Sequence, residues 1–132
     1  MKRKLILLSL SLFIGMSTYA QDTGSGRNEA VIAFDISSYD FGDIKQGDKV
    51  EYSFSFKNTG NQPLLVTNVL VQCGCTATDW PREPIASGKT GIIKVMFDSS
   101  GKTGMQHKVI TIVSNATNTH ERVKILTNIL PE

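Results

Sequence analysis

The stretch Val50-Glu51-Tyr52-Ser53-Phe54-Ser55-Phe56-Lys57 places an apolar residue at every second position and a polar one between. Successive side chains of an extended strand point to opposite faces, so this period of two describes a strand with one buried face. Asn58-Thr59-Gly60-Asn61-Gln62-Pro63 follows as a turn, in which Asn and Gly tolerate positive φ. Leu64 to Gln72 is a second strand, rich in β-branched residues, with less regular alternation that suits partial cover on both faces.

The same period extends outward in both directions. Val31 to Asp35 and Tyr39 to Phe41 supply one or two short strands upstream. Downstream, residues 76–89 contain two prolines and several turn formers and read as a long irregular connection. Strands return at Ile92 to Phe97, Lys108 to Val113 and Arg122 to Leu130, separated by turns at Asp98 to Gly104 and Ser114 to Thr119. Phe41, Phe54, Phe56 and Phe97 are the bulky inner-face candidates, and Gly47, Gly88 and Gly104 flank strands where unusual φ costs least. No eleven-residue window carries a helical stripe. About seven short strands at this spacing predict an all-β fold, an antiparallel β-sandwich, with a small open barrel as the alternative.

The N-terminus has a different character. Lys2, Arg3 and Lys4 precede an apolar run from Leu5 to Met16, and Thr18-Tyr19-Ala20 offers small residues for cleavage. This is the pattern of a cleavable signal peptide over residues 1–20, and the apolar run is too short to span a bilayer of ~30 Å. Residues 21–29 then form a polar, Gly-containing flexible spacer, and the domain occupies 30–132. Of the 132 residues, 14 are Lys or Arg and 12 are Asp or Glu; three of the basic residues lie in the leader, so a formal +2 becomes −1 after cleavage. A near-neutral chain without a basic run is not a nucleic-acid surface. The expected product is exported, without a membrane span once the leader is removed, and periplasmic, with extracellular release as the alternative.

Only Gln72-Cys73-Gly74-Cys75-Thr76 could carry chemistry. Four readings stand side by side, the plainest being a structural pair that ends a strand and sits partly buried, since free cysteine behaves as a small hydrophobe. Cys73 and Cys75 could form a disulfide. Same-face Cα atoms in an extended strand lie ~6.8 Å apart, so this needs a bend that Gly74 permits. The ring would be small, strained and readily reduced, and its loop-closure entropy minimal. Alternatively the pair could act as a thiol-redox centre, although the usual spacing is CxxC in an α/β fold. Finally, two thiolates could hold a soft ion such as Cu(I), with Met105, His107 and Met96 as further donors. His107 and His120 otherwise read as surface histidines. Trp80, between Asp79 and Pro81, is a candidate binding anchor or a lid on the sandwich end. Asp40 and Asp43 read as acids setting a turn, and Asn115-Ala116-Thr117 as a chance sequon. No nucleophile elbow, P-loop, zincin motif or dinucleotide fingerprint is present, so no cofactor is implied.

Taken in order, Tyr39-Asp40-Phe41-Gly42, Gly47, Phe54-Ser55-Phe56-Lys57-Asn58-Thr59-Gly60, Pro63-Leu64, Cys73-Gly74-Cys75-Thr76, Pro84-Ile85, Gly88, Val95-Met96-Phe97-Asp98, Gly104 and Ser114-Asn115 form a pattern. It resembles the bacterial family called domain of unknown function 1573, common in exported proteins of Bacteroidetes. The resemblance implies an immunoglobulin-like sandwich similar to the ASH, major-sperm-protein and PapD-like group, and it supplies no activity. Gln72 stands where a small Ser often precedes C-G-C, and the last strand lacks a Gly common near its end. The functional expectation is a non-enzymatic binding or assembly module with an envelope protein as partner; the alternative is the redox or copper protein acting through Cys73 and Cys75.

Overall fold

The computed structural model describes residues 28–132. The leader expected over residues 1–20, and all of the spacer but its last two residues, lie outside the described residues. Eight strands follow: β1 (Ile32–Phe34), β2 (Ser38–Lys45), β3 (Lys49–Asn58), β4 (Val66–Val71), β5 (Thr76–Asp79), β6 (Thr90–Asp98), β7 (Gly104–Ser114) and β8 (His120–Leu130). They make two four-stranded sheets, β1-β3-β6-β5 and β2-β8-β7-β4. Among the described residues no helix is long and apolar enough to cross a membrane. The fold is the β-sandwich that the alternation predicts, of the immunoglobulin-like kind that the family resemblance implies.

The inner face follows from register. On β3 and β6, Val50 pairs with Phe97, Tyr52 with Val95, Phe54 with Ile93 and Phe56 with Gly91. Ile110 and Ile112 of β7, with Val123, Ile125 and Ile129 of β8, meet them from the second sheet, all at or near zero exposure. Each such side chain contributes about 1.5–3 kcal/mol of burial. Gly91 is small because a Cβ there would strike the Phe56 ring. Across the sheets, Tyr39 stacks on Tyr52 with centroids 3.8 Å apart, while Phe41 meets Tyr39 edge-on at 4.9 Å. Phe41 is therefore half-buried against the core rather than inside it.

Four expectations are corrected. The sandwich has eight strands rather than about seven, because residues 76–79 of the supposed irregular connection form β5, paired with β6 from Thr76↔Phe97 to Asp79↔Lys94. Nor is it wholly antiparallel. The chain runs on in one direction through β1 and β2 while switching sheets at Asp35-Ile36-Ser37, and so it meets β8 in parallel. Asp40 and Asp43 flank a bulge inside β2, not a turn. Gly42 there takes φ +70°, its N–H bonds Asp40 Oδ1 at 2.8 Å, and its carbonyl accepts from Thr127 Oγ1 at 2.8 Å. Asp43 Oδ1 accepts from Asn128 Nδ2 at 3.0 Å.

The fourth correction concerns Asn58 and Gly60, neither of which takes positive φ. Asn58 is fully buried, and its Nδ2 donates to the carbonyls of Gln62 (2.7 Å) and Ile85 (2.9 Å). Its Oδ1 accepts from Gly60 N–H (3.0 Å) and Val31 N–H (3.4 Å). Gly60 lacks a side chain because the backbone of Glu29-Ala30-Val31 passes over it; a Cβ would come within 2.7 Å of Val31 N. One buried amide thus ties the approach to β1, the turn after β3 and the loop before β6 together.

Candidate functional site

The Cys73-Gly74-Cys75 turn lies where the chain leaves β4, an edge of the second sheet, and enters β5, an edge of the first. The sulfurs are bonded, with Cα atoms 5.3 Å apart, short of the spacing in an extended strand. The chain bends there without left-handed φ at Gly74, whose missing Cβ would meet nothing within 4 Å. Thr76 N–H bonds Cys73 O at 3.3 Å, and Asp98 N–H bonds Cys75 O at 2.9 Å, which anchors the turn to β6. Both cysteines are half-buried, and buried Thr76 holds its hydroxyl 3.8 and 3.9 Å from the two sulfurs.

A groove of about 480 Å³ opens beside Cys75, lined by Lys49, Glu51, Ala77, Met96 and Asp98 among others. Its charges are mixed. Hydrogen bonds from the Ser100 side chain and backbone hold the Asp98 carboxyl below its ordinary range, with Lys49 and Lys102 adding to the effect. A lowered thiol pKa needs an electropositive setting, which this groove does not supply. In the bonded state, moreover, neither sulfur is a thiolate that could take a metal ion.

The soft donors are divided by strand alternation. Met105 and His107 project from the outer face of β7, Met105 at 71% exposure, whereas Met96 lines the groove on the first sheet. Among the described residues no group of three or more His, Cys, Asp or Glu could hold a metal ion. His120 is exposed at the start of β8, with Nδ1 3.0 Å from the Thr119 hydroxyl.

Trp80 follows β5 and packs half-buried against the core cluster. The Arg82 guanidinium sits 3.6 Å from the ring centroid, within cation–π range. With the core on one side and Arg82 over the ring, Trp80 covers part of the sandwich, and it also lines an open groove with Pro81, Ile92 and Lys94.

Strand edges offer another kind of site, because their unpaired backbone groups can accept a further strand. Three of the four are blunted. Asn118 clamps β1, accepting from Ile32 N–H at 3.3 Å and donating to Ile32 O at 2.8 Å. The bulge interrupts β2, and β5 has only four residues. β4 is irregular between Val66 and Asn68, and Asn68 Oδ1 takes the Val69 N–H at 2.9 Å. Its Leu70–Val71 end stays regular and open, with side chains 47% and 37% exposed. Sequence reading did not single out Leu70 or Val71; their signal was the weak alternation of residues 64–72.

The comparisons agree with this architecture. A solved protein of unknown function from Porphyromonas gingivalis W83 superposes with a TM-score of 0.67 at 17% identity, covering 78% of this chain and 48% of that one. The human CEP192 ASH/PapD-like domain 7 gives 0.60 at 8% identity, over 80% of this chain and 89% of that domain. The secreted serine protease VesC from Vibrio cholerae gives 0.60 at 15%, over 76% of this chain but 23% of that one. The chain thus spans less than half of the P. gingivalis and V. cholerae chains, and at these identities the likeness shows the fold alone. No curated protein matches the sequence. The family profile described as "Protein of unknown function (DUF1573)" matches residues 32–129, from β1 to the penultimate residue of β8, and the chain belongs to that family.

Proposed function

We propose that this sandwich is a non-enzymatic binding or assembly module, exported through the leader read at residues 1–20, that engages an envelope protein through a strand edge. The observation that carries the proposal is the contrast among edges: β1 is clamped, β2 bulged and β5 short, while the Leu70–Val71 end of β4 is regular and exposed. An extended segment added there would gain main-chain hydrogen bonds and side-chain contacts. The mixed charges around the bonded Cys73–Cys75 pair favour this reading over thiol or copper chemistry.

The test is a pull-down from envelope fractions with the wild-type protein and with Leu70→Lys/Val71→Lys, which places gatekeeping charges on the edge. A stoichiometric partner captured by the wild type and lost by the variant is expected. Equal recovery by both proteins, or no partner at all, would overturn the proposal.

A further inference from the structure

The two outer faces of the sandwich differ in charge. On the first sheet, outward positions mix signs, and Lys94 pairs with Glu51 at 3.4 Å, the single salt bridge among the described residues. On the second sheet, the outward residues of β7 and β8 are the odd positions from 105 to 113 and the even positions from 120 to 130, since Ile110, Ile112, Val123 and Ile125 point inward. Register places Leu70 beside Thr111 and Thr111 beside Arg122, with Val109 beside Lys124. No outward position of β4, β7 or β8 holds Asp or Glu. The acids of this sheet's face, Asp40 and Asp43, lie at the far edge on β2 and accept local hydrogen bonds.

Leu70, Val71, Gln72, Val109, Thr111 and Arg122 line a shallow groove of about 400 Å³ on this face, running up to the open end of β4. Apolar floor and unpaired cation are therefore adjacent, and Arg122 and Lys124 have no salt-bridge partner among the described residues. Opposite charge guides partner choice and encounter, while apolar contact supplies affinity. A bilayer surface is a poorer match, because none of these outward positions holds the Trp or Tyr that interfacial sites favour.

We infer that the outer face of β4, β7 and β8 docks an extended, acidic–apolar segment of a partner protein, with apolar side chains over Leu70 and Val109 and carboxylates at Arg122 and Lys124. This rests on the binding-module reading above and adds the surface and the chemistry of its partner.

The probe is a synthetic peptide of about eight residues, Leu-Ser-Leu-Ser-Glu-Ser-Glu-Ser, whose Leu and Glu side chains share one face when it is extended and which at ~3.3 Å per residue is long enough to reach across β4, β7 and β8. A Leu/Lys peptide of equal length and phosphatidylglycerol vesicles serve as comparison probes. Each is titrated into the full-length protein, 15N-labelled for NMR. Amide shifts with the acidic peptide should concentrate on β4, β7 and β8. Arg122→Glu/Lys124→Glu should weaken binding about tenfold or more, and Arg122→Gln/Lys124→Gln less. The exchanged pair Glu51→Lys/Lys94→Glu on the other face should bind as the wild type does. The Gln variant keeps the test valid if charge reversal disturbs folding, which thermal unfolding checks. Equal binding of the two peptides, shifts on the first sheet, no peptide binding, or binding of vesicles alone would each overturn the inference. If the envelope partner is still captured by Arg122→Glu/Lys124→Glu, this inference falls while the binding-module reading stands. If the wild type captures none, the reading itself falls.

Discussion

The two ends of the sandwich are closed by opposite means. At the end where β3 finishes, a buried side-chain amide, Asn58, bonds three separate backbone segments, and Gly60 lets one of them, Glu29-Ala30-Val31, pass over it. At the end where β3 begins, a disulfide between residues two apart closes a turn, Asp98 N–H bonds that turn, and a groove lies open beside it. The first closure joins residues distant in sequence and is shielded from water; the second is local and half-exposed. Long-range, desolvated links carry stability, because leaving a buried polar group unpaired is costly. Local covalent links add little, because the unfolded chain already keeps the two residues close.

The largest effect is therefore expected at Asn58. Asn58→Leu would leave the Gln62 and Ile85 carbonyls and the Gly60 N–H without their partner in a dry site. A loss of about 2–4 kcal/mol in urea unfolding, with an unchanged m-value, is expected. A loss below about 1 kcal/mol would erase the contrast between the ends. Gly60→Ala comes next, because the neighbouring atoms are backbone and cannot swing aside. Its cost is about 1–3 kcal/mol, measured the same way.

Reducing the disulfide, or replacing both Cys73 and Cys75 with Ser, should cost about 1.5 kcal/mol or less, since the closed loop holds only residues 73–75. Urea curves with and without a reductant check this. A larger loss would mean that the covalent end holds the sheets together as firmly as the amide end does.

The same contrast explains what the sequence disclosed. Val50 to Lys57 alternates cleanly because one face of β3 is buried along its length, so fold class and inner face were readable from one strand. The roles of Asn58 and Gly60 were not, because both arise from segments brought over them by the tertiary fold. A turn reading of N-x-G is the local default, and here long-range packing overrides it. β5 escaped notice because four residues before Trp80 and Pro81 are too few to display a period. Among the site candidates, the C-G-C pair was legible as a unit, but whether Met105, His107 and Met96 could join it depended on strand parity. β7 turns its odd residues outward on one sheet while Met96 faces out from the other, and only strand register fixes that. The open edge at Leu70–Val71 depends on what covers the other edges, which no single segment records.

The smallest expected effect lies at the open end, on Asp98. Its carboxyl titrates below the ordinary 3.8, mainly through Ser100, whose N–H bonds Asp98 Oδ1 at 3.0 Å, with Lys49 and Lys102 adding attraction. A group whose folded pKa is depressed stabilises the fold above its unfolded pKa and loses that contribution as pH falls through the folded value. Asp98 thus contributes fully above 3.8, and its share disappears as pH drops from 3.8 through the lower folded pKa. Partial exposure to solvent keeps that share small. NMR titration of the Asp98 carboxyl should place its midpoint below 3.8, and Ser100→Ala should move it upward. Asp98→Asn should flatten the acid limb of the stability curve only slightly, while Asn58→Leu, which removes no titrating group, should lower the whole curve without changing its shape. A midpoint unmoved by Ser100→Ala would show that the backbone N–H and the lysines, rather than the Ser100 hydroxyl, hold the Asp98 carboxyl down.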